Sequence, residues 1–155
     1  MPVIRSESFL VEETSSSSGS APNRDLWISE PGGLTQFGAF VQEIQPGARS
    51  SIKHWHSAED ELVYVLDGVL TVIEGETCSV IGPGDAATFK AGVPAGHCLW
   101  NQTDSIVRCL VVGTRAPLDR VTYPDHERVC VRDRSQPEDI WTDLAGKPAG
   151  SPYAE

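Results

Sequence analysis

The sequence predicts an all-β domain, a sandwich or barrel of short strands. Two observations carry this. Between residues 34 and 113 about eight apolar runs, rich in Val, Ile, Leu and Thr, follow one another closely with turn residues between them. No stretch keeps a 3.6-residue apolar period long enough to compete as a helix.

The elements follow in order. Residues 1–22 read as a flexible N-terminal segment ending in the low-complexity run TSSSSGSAP, with a short apolar piece at Ser8–Val11 available as an edge strand. Asp25–Gly33 reads as a loop-like entry. The first strand is Leu34–Ile44, closed by Pro46-Gly47. Ser51–His56 and Glu61–Leu66 come next, and Asp67-Gly68 makes a tight hairpin into Val69–Ile73. Glu74-Gly75 turns into Thr77–Ile81, and Gly82-Pro83-Gly84-Asp85 turns into Ala86–Phe89. AGVPAG at residues 91–96 then leads to His97–Asn101, and Ile106–Gly113 closes the series. Beyond Arg115 five prolines interrupt a charged stretch; a β-fragment at Arg128–Val131 and a turn near Glu138–Leu144 are expected in a tail, 116–155, that packs on the domain 23–115.

The 155 residues suit one domain with a real core. A net charge of −10, without any basic run, excludes a nucleic-acid surface and an anionic membrane as partners. No apolar run approaches the roughly 20 residues a spanning helix needs. The first ten residues hold no stretch of signal-peptide length. Cys78, Cys98, Cys109 and Cys130 form no close pair and read as reduced structural thiols. A cytoplasmic location is expected.

The chemistry concentrates in GARSSIKHWHSAEDELVYVLDG, residues 47–68. On an extended strand His54 and His56 share a face, so both imidazoles can converge on one point. Glu61 opens the next apolar run and can bring a carboxylate there. Two imidazoles and a carboxylate on one side of a divalent ion leave positions open for substrate or oxygen.

These residues resemble the first motif of the cupin superfamily: a Gly, then HxH, then Glu, then Gly six positions on, here Gly47, His54, His56, Glu61 and Gly68. Asp60 sits at a permitted spacing from His56, but Glu61 keeps the interval to Gly68. The second motif is represented by Gly84, Pro94, Gly96, His97 and Asn101, with His97 directly after Gly96 where the family spaces two residues. The resemblance covers about residues 34–114. It implies a single-domain double-stranded jelly roll and a metal site of His54, His56, Glu61 and His97. It also implies a homodimer and a small-molecule substrate. Nitrogen and oxygen ligands suit Fe, Mn, Ni or Zn alike. Tyr64 is a candidate acid or base, and Trp55 and Trp100 are candidate walls; His126 reads as solvated.

Cupins carry many chemistries, so fold leaves function open. The longer pattern is similar to small fungal cupin-domain oxidoreductases that accompany polyketide biosynthesis, and a metal-dependent oxidoreductase on a small organic molecule is the leading expectation. A sugar or sugar-phosphate isomerase ranks second, for want of an evident phosphate cradle. A non-catalytic binding or sensing module ranks third.

Overall fold

The structure, a computed structural model, describes residues 3–14 and 22–154. Residues 15–21, the core of the low-complexity run, lie outside the described residues. The strands are β1 (Leu10–Thr14), β2 (Asn23–Trp27), β3 (Phe37–Ile44), β4 (Trp55–His56), β5 (Glu61–Asp67), β6 (Leu70–Glu74), β7 (Thr77–Ile81), β8 (Ala86–Phe89), β9 (His97–Trp100), β10 (Val107–Thr114), β11 (Leu118–Tyr123), β12 (Arg128–Asp133) and β13 (Ile140–Asp143).

One antiparallel sheet has the order β1-β2-β3-β10-β5-β8. Its inner face alternates with its outer face, as a half-buried sheet requires, with one register shift where Arg108 and Cys109 of β10 meet Asp67 and Val65 of β5. Ile44, Val63, Val65, Val107, Cys109 and Val111 point inward to the core, where Leu70, Val72 and Leu99 meet them. Against this sheet lie β7-β6-β9 and β13-β12-β11-β4. Bridges Arg49–Trp100 and His54–His97 join β9 to the segment that becomes β4. The two small sheets are thereby stitched into the second wall of a jelly roll, and the stitch falls at a histidine pair.

The barrel strands fall within one to three residues of their expected positions, except that Ser51–Lys53 bends and reaches the sheet through isolated bonds. Both ends are more regular than their composition suggests. Leu10–Thr14 is an edge strand on β2, which occupies part of the expected loop entry. The C-terminal stretch is a three-stranded meander, not an irregular tail. In it Val121, Tyr123 and Cys130 are buried, with Ile52 and Trp141 packed on them. Prolines fall outside these strands, so they punctuate the meander without breaking its ladder.

Cys98, Cys109 and Cys130 are free and buried, and Cys78 is free and exposed. Burial pushes the Cys109 and Cys130 thiols up to about 12, which suits a packing role. Among the described residues no helix is long and apolar enough to cross a membrane.

Candidate metal centre

His54, His56 and Glu61 come together as their spacing requires. Their nearest donor atoms all lie within 4.8 Å of one another. Donors bound about 2.1 Å from one ion stand roughly 3–4 Å apart, so the group has the right scale. His54 is fixed by backbone bonds exchanged with His97, at 3.1 and 2.8 Å, and His56 by pairing of β4 with Val121 of β11. Glu61 begins β5 on the opposite wall, facing inward with Val63 and Val65.

The outer nitrogen of each imidazole sets its tautomer. His54 Nδ1 lies 2.9 Å from the Ile52 carbonyl, which can only accept. His56 Nδ1 lies 2.6 Å from Oδ2 of the buried Asp119. Both rings therefore carry the proton on Nδ1 and turn an Nε2 lone pair inward, the arrangement a metal-binding histidine needs.

His97 joins from β9. Its Nε2 is buried without a hydrogen-bond partner and lies 3.8 Å from Glu61 Oε1. It is not within 4.8 Å of all three other donors, so it stands one step back. Its ring stacks flat on Phe89, with centroids 3.6 Å apart, and that stacking fixes the direction in which Nε2 points. A buried polar atom with no partner is costly unless something occupies its lone pair. The donor set and this orphaned nitrogen fit a divalent ion held by His54, His56, Glu61 and His97. Burial, reinforced by the neighbouring imidazoles, lowers the affinity of His54 and His97 for protons, to about 4 and about 3. Burial also raises Glu61. His54 and His97 are therefore neutral at pH 7 and ready to bind a cation.

Other candidates are placed elsewhere. Tyr64 lies on the outer face of the large sheet, 40% exposed, beside Leu62 and Leu66, and does not reach the site. Trp100 packs over Arg49 and donates to the Gly47 carbonyl. Trp55 lines a small hollow behind His56 and His97. His126 is exposed on a short 3-10 turn. Asp60 accepts from the Ala91 amide, leaving Glu61 as the inward carboxylate. Asn101 is fully buried, donates to the Ile44 and Ser105 carbonyls and accepts from Thr103, so it holds a turn.

Sequence reasoning did not single out three other parts of the site, Asp119, Glu59 and Asp25. Asp119 also accepts from Ser57 Oγ and the Ala58 amide. Glu59, near His56 and Asp119, is taken by Arg134 and the Ala116 amide, so that acidic group is already satisfied. From the opposite wall Asp25, 7% exposed, accepts from Gln42 Nε2 at 2.9 Å and faces the same cavity of about 420 Å³ as His54, Glu61 and His97. At the cavity mouth Tyr153, near the C-terminus, packs on Tyr123, which also meets His54 and Trp141.

A family profile for the cupin domain matches residues 40–113. The comparison with curated proteins gave no match. A solved structure from Silicibacter pomeroyi, named a sugar phosphate isomerase of the cupin superfamily, is 32% identical over 97% of this chain and 98% of its own, with a TM-score of 0.84. An Acidithiobacillus ferrooxidans structure, provisionally named a sugar phosphate isomerase, is 29% identical over 84% of this chain and 81% of its own, at 0.75. A polyketide cyclase from Streptomyces resistomycificus is 23% identical over 74% of this chain and 79% of its own, at 0.58, a likeness of fold. With its barrel, both motifs and a full-length relative in agreement, the chain belongs to the cupin superfamily.

Proposed function

We propose that this cupin is a metal-dependent isomerase of a small sugar-like hydroxy-carbonyl compound. The observation that carries the reading is the position of Asp25. It is a buried carboxylate facing, across one cavity, the wall that bears His54, His56, Glu61 and His97. Burial raises Asp25 to about 6; the Gln42 hydrogen bond opposes the shift and Glu12 adds to it. A carboxyl that gains and loses a proton near neutral pH is suited to general acid–base work. A divalent ion at the opposite wall would supply a Lewis-acid charge that polarises a carbonyl oxygen.

In this scheme Asp25 takes the proton from the carbon that bears the 2-hydroxyl. The C–H electron pair moves into the bond between C1 and C2, and the carbonyl pair moves to O1. Asp25 returns the proton to C1 while the O2 proton passes to O1. An aldose becomes a ketose without any co-reactant. Gln42, hydrogen-bonded to Asp25, fixes the carboxyl plane. Tyr153 lines the same cavity and restricts water beside the carboxyl. The names of the relatives at 32% and 29% identity support the same class.

A second reading rests on the donor set. Three imidazoles and a carboxylate hold iron as well as zinc or manganese, so oxidation of a small organic substrate keeps its support. One experiment separates them. Protein loaded with Zn or Mn is incubated anaerobically with aldoses and their phosphates in deuterium oxide. Isomerisation gives ketose carrying solvent deuterium beside the carbonyl, and Asp25→Asn abolishes that exchange at unchanged metal content. Absence of exchange across the panel, with oxygen consumed by iron-loaded protein and a phenolic substrate, would transfer the assignment to the oxidoreductase.

A further inference from the structure

Beside the metal-ligand cluster a second hollow of about 280 Å³ shares His54 and Glu61 with the main cavity and is rimmed by Arg115, Arg132 and Arg134. The acidic residues Glu12, Glu13 and Asp25 line the main cavity, so the two hollows differ in charge on either side of one centre. Arg132 pairs in register with Asp119, the residue that fixes His56, and this places its guanidinium next to the ligand wall. Arg134 follows just past the end of β12 and lines the same hollow.

Each guanidinium is held by a partner and keeps one nitrogen unused. Arg132 donates through Nε and Nη2 to Asp139 Oδ2, at 3.3 and 3.2 Å. Arg134 donates through Nε to the Ala116 carbonyl at 3.0 Å and through Nη2 to Glu59 Oε1 at 2.7 Å. Among the described residues neither Nη1 has a hydrogen-bond partner. Arg115 is tied to Glu30 and to the Leu34 carbonyl and completes the basic rim. Fixed guanidinium planes that line the hollow and each keep an uncommitted Nη1 suit a tetrahedral oxyanion, since little freedom remains to be lost on binding.

We propose that Arg132 and Arg134 form a phosphate subsite, so that the substrate is a phosphate monoester whose reacting carbons reach the metal wall. The assignment rests on the isomerase reading for the remainder of the substrate, but the anion is tested apart from it. Inorganic phosphate is titrated calorimetrically into metal-loaded protein at constant ionic strength. It is titrated likewise into His54→Ala/His56→Ala, Arg132→Gln/Arg134→Gln, the charge-conserving Arg134→Lys, and Arg120→Gln, whose exposed residue lies on the other face of β11. The expected result is saturable binding that persists in the histidine variant and in Arg120→Gln. It weakens by about tenfold or more in the double arginine variant, with an intermediate loss in Arg134→Lys. Binding that disappears with the histidines and ignores the arginines would place phosphate on the metal and overturn the subsite, as would no saturable binding at all. If the arginine double variant unfolds, Arg134→Lys decides alone, since it keeps a charge for Glu59 and changes the geometry. Phosphate bound at the arginines in a protein that isomerises no aldose phosphate would retain the subsite and remove the isomerase.

Discussion

His56 Nδ1 lies 2.6 Å from Asp119 Oδ2, a contact made across 63 residues of chain. It joins the motif strand β4 to the C-terminal meander. Burial alone would raise the Asp119 carboxyl, but the bonds from His56, the Ala58 amide and Ser57 outweigh it and hold the group at about 2. The carboxylate stays ionised, keeps His56 in one tautomer and strengthens its Nε2 as a donor. Asp119→Asn is expected to leave the barrel folded and to weaken zinc binding by about 10–100-fold, read by competition with a chromogenic chelator. Unchanged affinity would show that His56 is oriented by strand pairing alone.

His97 gives a separate test of the fourth ligand. Its Nε2 has no partner, so replacing it by an apolar group removes an unmet hydrogen-bonding demand of about 1–3 kcal/mol. His97→Leu is expected to raise the melting temperature of metal-free protein by several degrees, at roughly 2–4 °C per kcal/mol for a chain of this size. The same variant is expected to reduce the stabilisation that added zinc confers. A variant that melts lower without metal and gains as much from zinc as the wild type would remove His97 from the ligand set.

The two halves of the site differed in how much the sequence disclosed. His54, His56 and Glu61 were legible because an i, i+2 pair on a strand and a carboxylate opening the next strand are local patterns. Strand alternation also contained the fact that Tyr64, three residues after Glu61, faces outward. Asp119, Arg132 and Arg134 were not legible, because their place depends on β11 pairing with β4 across a long separation. β2 was obscured for another reason: its inward residues Asn23 and Asp25 are polar, so NRDLW reverses the expected apolar-in pattern. Asp25, which serves the cavity, and Asn23, which holds the Gln45 amide and the Arg49 carbonyl, thus broke the periodicity by which a strand is found.

The buried histidines make the metal-free chain acid-sensitive in a defined window. His54 and His97 have folded-state values of about 4 and about 3, below the ordinary 6.5. The unfolded chain therefore binds their protons first as pH falls. Their contribution is complete above about 6.5 and is lost as pH drops toward 4 and then 3, on the order of a few kcal/mol. Asp25 has the opposite sign. Raised from 3.8 to about 6, it contributes stability below 3.8 that is lost as pH rises through 6. Urea midpoints of metal-free protein are expected to fall between pH 6.5 and 4, and more steeply in Asp25→Asn, where the opposing contribution is gone. A flat profile would mean that these imidazoles titrate normally.

Gly68, the closing glycine of the first motif, has a packing role beyond its turn. Its φ is +85°, and a Cβ there would lie 2.8 Å from Cγ2 and 3.3 Å from Cα of Val107, a fully buried core residue at the start of β10. Gly75 closes the next hairpin at φ +57° with nothing within 4 Å. The pair separates backbone strain from steric conflict. Gly75→Ala is expected to cost about 1 kcal/mol from the left-handed backbone alone. Gly68→Ala adds the overlap with Val107 and is expected to cost about 2–4 kcal/mol. Trimming the partner in Gly68→Ala/Val107→Ala removes the clashing methyl while opening a cavity. The double variant is therefore expected to be less destabilised than the sum of its singles, measured by urea unfolding. Additive losses would mean that Gly68 is required for its φ alone, and that the closing glycine of the motif is a turn residue with no part in setting how closely β5 and β10 approach.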